Sequence, residues 1–143
     1  MERPEILLPV AALVAWSLVM MLWMVASRFA ALRARGIRLR GVVGTRPGML
    51  DGVVEDRAQW KAHNYIHLME QPTLFYAIAL TLALIGEGDG VNALIAWAYV
   101  GLRVVHSLIQ ATVNVVIYRF AVFILASLAL AALTVHGLIA LIE

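Results

Sequence analysis

Long apolar runs separated by short polar breaks set the pattern of this chain. Four stretches, at about 6–27, 63–85, 91–112 and 120–142, consist largely of aliphatic, aromatic and small residues. Each holds roughly 20 residues, which at about 1.5 Å of rise per residue lets a helix cross a hydrocarbon core of about 30 Å. Lipid admits only helices and closed barrels as spanning forms, and these runs are too long for barrel strands. Arg28 closes the first run, the turn Gly86-Glu87-Gly88-Asp89-Gly90 closes the second, and Arg119 stands before the fourth. The pattern predicts an all-α integral membrane four-helix bundle, a single four-span domain over 1–143. Acidic Glu2 and Glu5 precede the first run, which is also longer than the core of an ordinary signal peptide, so it is expected to be a retained span.

Composition strengthens this picture. Of 143 residues, 63% are hydrophobic and 14% charged, against about 25% charged in soluble domains. A formal charge of +2 is too small to suggest nucleic acid as a partner; the expected partner is the lipid bilayer. With no cysteine, disulfides, thiolate metal sites and cysteine nucleophiles are excluded.

The position of the charges gives an orientation. The connection at about 28–62 holds Arg28, Arg33, Arg35, Arg38, Arg40, Arg46, Arg57 and Lys61 against Asp51, Glu55 and Asp56. The 86–90 turn carries only acidic side chains, and the third connection ends on Arg119. By the positive-inside rule the first and third connections are cytoplasmic and both termini lie outside. In a bacterium the location would be the cytoplasmic membrane. Trp60, Tyr118 and Phe120 fit an interfacial aromatic belt.

Ionisable residues inside spans are costly and mark functional sites by default. His63, His67 and Glu70 follow i, i+4, i+7 and share one helix face. Arg103, His106 and Gln110 follow i, i+3, i+7 on another face, and Asn114 continues it. With the expected orientation, all of these, together with Arg28 and Arg119, lie in the cytoplasmic half of one bundle, as a polar cavity opening to the cytoplasm requires. Each also has a plainer role available. Glu70 and Arg103, at similar depth, are placed to form a buried ion pair; Arg28 and Arg119 can act as snorkelling anchors; His106 can be a hydrogen-bonded core residue. Pro72, two residues after Glu70, loosens the second helix and leaves a carbonyl needing a donor from a neighbour. His136, in the outer half, has no evident partner. A metal site from His63, His67, Glu70 and His106 has plausible ligand spacing, but pairs of this kind arise readily by chance and no metal is expected.

These elements together resemble the membrane-associated proteins in eicosanoid and glutathione metabolism, the MAPEG family, in its bacterial branch. The second span carries the likeness in Arg57-Ala58-Gln59, Asn64, Glu70, Pro72 and Leu74-Phe75-Tyr76, and the third in Arg103-Val104-Val105-His106, with Arg119 thirteen residues after the histidine. The resemblance extends over essentially the whole chain. It implies a homotrimer of four-helix protomers with glutathione, as co-substrate, in a cleft between neighbouring subunits near the cytoplasmic face. By position, Arg28 would hold a glutathione carboxylate and Glu70 would meet its amino group. His63, His67, Arg103, His106 and Gln110 would line or support the cleft. Arg119 would stabilise the thiolate and is the candidate catalytic residue. The sequence departs from some members at His67, where they have asparagine, and at Ile66 and His63, where they have arginine. It departs again at Gln110 in place of tyrosine and at Phe120 in place of serine.

The function implied is a glutathione-dependent transferase or peroxidase acting on a hydrophobic small-molecule electrophile. The alternative is a non-enzymatic membrane module that binds a lipid or a partner protein, which the departures favour.

Overall fold

A computed structural model describes residues 3–44, 46 and 48–143; Glu2 lies outside them. Five α-helices form among the described residues: α1 (Leu7–Ala34), α2 (Asp56–Leu68), α3 (Gln71–Leu84), α4 (Val91–Thr112) and α5 (Val116–Ile142). Helices α1, α4 and α5 are long and apolar enough to cross a membrane. Their exposed surfaces are aliphatic and aromatic, as lipid requires: Leu8, Leu22 and Phe29 on α1, and Leu128, Leu138 and Ile142 on α5, are all exposed.

The stretch at 63–85, expected to be one span, consists of two helical segments, α2 of 13 residues and α3 of 14, that break at Met69–Glu70. The cause is Pro72, in the first turn of α3. It has no N–H for the carbonyl four residues earlier, and its ring crowds the preceding turn. Proline is tolerated at a helix start, so the chain restarts there. At the end of α2 the His67 carbonyl accepts from the Glu70 N–H at 3.4 Å and from Arg103 Nη2 on α4 at 3.0 Å.

Helix α1 runs past Arg28 to Ala34. Gly36, at φ 68, then reverses the chain. The Ile37 N–H reaches the Leu32 carbonyl at 3.0 Å and the Gly36 N–H reaches the Arg33 carbonyl at 3.0 Å, the paired bonds of a Schellman end. The basic connection that follows is tied to α2 by Gln59 Nε2, which donates to Asp51 Oδ1 at 2.9 Å. Lys61 Nζ lies 5.6 Å from the Trp23 ring centre and joins α2 to α1.

The core is mainly apolar, but one helix brings a polar face into it. The buried face of α4 carries Asn92, Tyr99, Arg103, His106, Ser107 and Gln110, together with Ala93, Ala96 and Ala111. Small residues let membrane helices approach closely, and polar side chains then bond across the interface. Asn64 on α2 donates to Ser107 on α4 at 2.6 Å. Gln71 on α3 donates to Ser127 on α5 at 2.8 Å and accepts from Tyr99 on α4 at 3.4 Å. The Tyr99 ring stacks on Phe75 with centres 4.5 Å apart. At the other end, the start of α1 is bound to the 86–90 turn: the Ile6 N–H donates to the Gly88 carbonyl at 2.8 Å and the Glu5 N–H to Asp89 Oδ1 at 2.6 Å. Gly88 is there for space, since a Cβ at that position would sit 2.8 Å from Pro4 Cβ and 2.9 Å from Ile6 Cγ2.

Candidate functional site

Three helices, α2, α4 and α5, enclose a cleft of about 410 Å³. Its polar walls are His63, His67, Glu70, His106, Gln110 and Arg119, and its apolar walls are Ile66, Val116, Phe120 and Phe123. Helix α2 supplies His63 and His67 because they are one turn apart, and its end supplies Glu70. Helix α4 supplies His106 and Gln110, again one turn apart.

Arg119 is placed by the corner between α4 and α5. Asn114 ends α4 in a left-handed conformation, φ 52, which asparagine tolerates better than most side chains. It does not continue the polar face of α4 as the spacing suggested. Its Oδ1 instead accepts a hydrogen bond from Arg119 Nη1, which fixes the guanidinium at the cleft edge.

Glu70 is paired with His67, Nδ1 to Oε2 at 2.8 Å. This is the only side-chain contact of salt-bridge length between a basic or histidine nitrogen and a carboxylate among the described residues. The expected Glu70–Arg103 pair does not form. The helix break turns Glu70 outward, leaving its side chain 62% exposed, whereas Arg103 is fully buried and bonded to a backbone carbonyl. Arg103 is therefore behind the cleft wall rather than in it. Arg28 does not line the cleft either; it is half-buried on α1, with no partner for Nε. His106 packs its ring 4.9 Å from that of His67 and 6.3 Å from that of Phe123. Several buried polar atoms here have no partner among the described residues: Asn64 Oδ1, Arg103 Nε and Nη1, His106 Nδ1 and Gln110 Oε1. Of these, His106 and Gln110 line the cleft, where water or a ligand can reach them, whereas Asn64 and Arg103 lie behind it.

Phe123 and Val116 were not anticipated. They stand at i+4 and i−3 from Arg119, so the helical period carried that signal. Among the described residues, no cluster of three or more histidine or acidic side chains is arranged to hold a metal. His136, without evident partner in the sequence, meets Asn92 on α4, Nδ1 to Oδ1 at 2.6 Å.

The family model of the MAPEG proteins matches residues 6–139, nearly the full chain. The chain belongs to the MAPEG family. Comparison with curated proteins and with solved structures returned no match. MAPEG membership and the three long apolar helices make this an integral membrane protein. Membership also associates the chain with a family of glutathione-related transferases and peroxidases.

Proposed function

We propose that this MAPEG protein is a glutathione-dependent transferase or peroxidase that acts on lipophilic electrophiles. The observation that supports this most is the cleft itself, where polar side chains from α2, α4 and α5 face the apolar group Ile66, Phe120 and Phe123. A charged thiol peptide and a greasy electrophile need such a two-sided site. Glutathione is the co-substrate. Arg119 stabilises its thiolate, because a nearby cation lowers the pKa of a thiol from about 8.5 and so produces the nucleophile. Glu70, through the oxygen not engaged by His67, meets the amino group. His63, His67, His106 and Gln110 position the peptide, and Arg103 supports the wall by holding the His67 carbonyl.

The same reading takes α2 and α3 together as a fourth span, places the basic connection and the cleft toward the cytoplasm, and leaves both termini outside. It assembles the chain as a homotrimer. Arg28, outside the cleft of its own protomer, then belongs to the half supplied by a neighbour and holds a glutathione carboxylate. The substrate enters sideways from lipid past Phe120.

Calorimetric titration of glutathione into the detergent-purified protein tests this. Saturable binding that weakens in Arg119→Ala, with conjugation of a model electrophile lost, is expected. Absence of binding at millimolar glutathione would overturn it. A second reading, a non-enzymatic module holding a lipid or a partner protein, is favoured by His63, His67 and Gln110 at positions where some family members carry other residues. It predicts no glutathione binding and a co-purifying lipid or protein.

A further inference from the structure

We infer that His67 is the base that takes the proton from the bound thiol, with Glu70 as its positioning residue. The inference rests on the proposed thiol chemistry and adds a second group to it beside Arg119.

The geometry is that of a carboxylate–imidazole dyad at a cleft wall. Glu70 Oε2 lies 2.8 Å from His67 Nδ1. An ionised carboxylate only accepts hydrogen bonds, so Nδ1 carries the proton. In the neutral ring, Nε2 then holds the lone pair. Among the described residues no protein group bonds to Nε2, and the ring is 26% exposed within the cleft wall. Four contacts fix its orientation. Glu70 holds one edge, the rings of His106 and Phe123 stand 4.9 and 5.6 Å away, and Arg103 clamps the carbonyl of the same residue at 3.0 Å. Such locking of a general base is what a catalytic constellation requires.

The break at Met69–Glu70 makes the dyad possible. It gives Glu70 a non-helical backbone, φ −92 and ψ −97, at the cap of α3, and the carboxylate bonds back to the ring three residues earlier. The charged and titratable groups around His67 are Glu70 and His63 from its own segment, Arg103 and His106 from α4 and Arg119 from α5; no α1 side chain lines the cleft.

The proton balance is simple. The thiol S–H bond breaks and an N–H bond forms at Nε2, while the electron pair stays on sulfur. The thiolate, beside Arg119, forms the S–C bond to the electrophile. The leaving group departs with its bonding pair and takes the proton back from Nε2, which restores the neutral ring. Arg119 thus stabilises charge and His67 moves the proton, and loss of either is separable by measurement.

The test uses His67→Asn in the full-length detergent-purified protein. Asparagine can keep a hydrogen bond to Glu70 but cannot accept the proton. Thiolate formation by bound glutathione is followed by its ultraviolet absorbance across pH, alongside calorimetric affinity and kcat and KM for a model electrophile. The expected result is an acid limb in the wild-type pH profile that disappears in His67→Asn and a fall in kcat of about 100-fold, larger than the loss of affinity and rise in KM that follow from the lost positioning contact. An unchanged pH profile with intact glutathione binding overturns the role of His67 and leaves the transferase reading standing. Failure of the wild-type protein to bind glutathione overturns both. Should His67→Asn not fold, Glu70→Gln carries the test: a fall in kcat of about tenfold with a displaced acid limb is expected, and an unchanged profile overturns the inference.

Discussion

At the end of the bundle that carries the 86–90 turn, Asn92 donates to the Glu87 carbonyl at 2.8 Å and meets His136 at 2.6 Å. There too Glu5 and Ile6 bond to the turn at 2.6 and 2.8 Å. At the cleft end, Arg103, His106, Gln110 and Asn64 are buried and each keeps at least one polar atom without a partner, whereas at the turn end Asn92 is buried but His136, Glu5 and Asp89 are exposed. Both ends contain histidine, amide and carboxylate. The difference is closure together with burial: the turn-end groups are paired although most of them are exposed, and the cleft-end groups are buried with unmet capacity. A polar network that satisfies itself stiffens a membrane bundle, because an unpaired group away from water is costly. One that stays open is offset elsewhere in the fold and leaves hydrogen-bonding capacity for water or a ligand. Histidine content alone therefore does not mark a site; unmet hydrogen-bonding capacity around a cleft does.

The contrast can be broken most severely at Arg119. Arg119→Ala is expected to lower conjugation of glutathione to a model electrophile by at least about 100-fold, as loss of a charge-stabilising donor does, while size-exclusion chromatography shows an unchanged assembly. Activity equal to wild type would remove Arg119 from the chemistry. At the opposite end, Gly88→Ala is expected to cost about 2 kcal/mol through overpacking against Pro4 and Ile6. A lowered thermal midpoint with glutathione affinity intact would show it.

A smaller effect is expected from Asn92→Leu. It strips partners from the Glu87 carbonyl and from His136, at about 1.5 kcal/mol, again visible in thermal unfolding and silent in glutathione titration. Gln110→Leu should behave the other way round. It deletes a buried acceptor that has no protein partner, so the thermal midpoint should hold or rise. Glutathione affinity should fall by about fivefold, roughly 1 kcal/mol. If Gln110→Leu destabilised the fold as Asn92→Leu does, the distinction between a closed and an open end would fail.

Much of the candidate site was legible because helical period is local. The spacing of His63, His67 and Glu70, and that of His106 and Gln110, put these residues on shared faces, and the structure brings them to one cleft with Arg119. The sequence places Arg28 and Arg103 in the same half of the bundle, but neither lines the cleft. Period fixes a face and says nothing about which neighbour occupies it. Pro72 signalled a weak point in the second stretch, yet where the helix would part, and that the parting would swing Glu70 onto His67, depended on how α2 packs against α4.

The sequence by itself determined the membrane class, the three long apolar helices, the polar faces of α2 and α4 and membership of the MAPEG family, because hydropathy, period and motif spacing are properties of neighbours along the chain. The tertiary structure alone decided that Glu70 pairs with His67 rather than Arg103, that Arg103 retreats behind the cleft to a backbone carbonyl, that Asn114 turns the α4–α5 corner to hold Arg119, and that His136 is closed by Asn92. Those outcomes are competitions among donors and acceptors up to 44 positions apart, and only the packed bundle brings the competitors together.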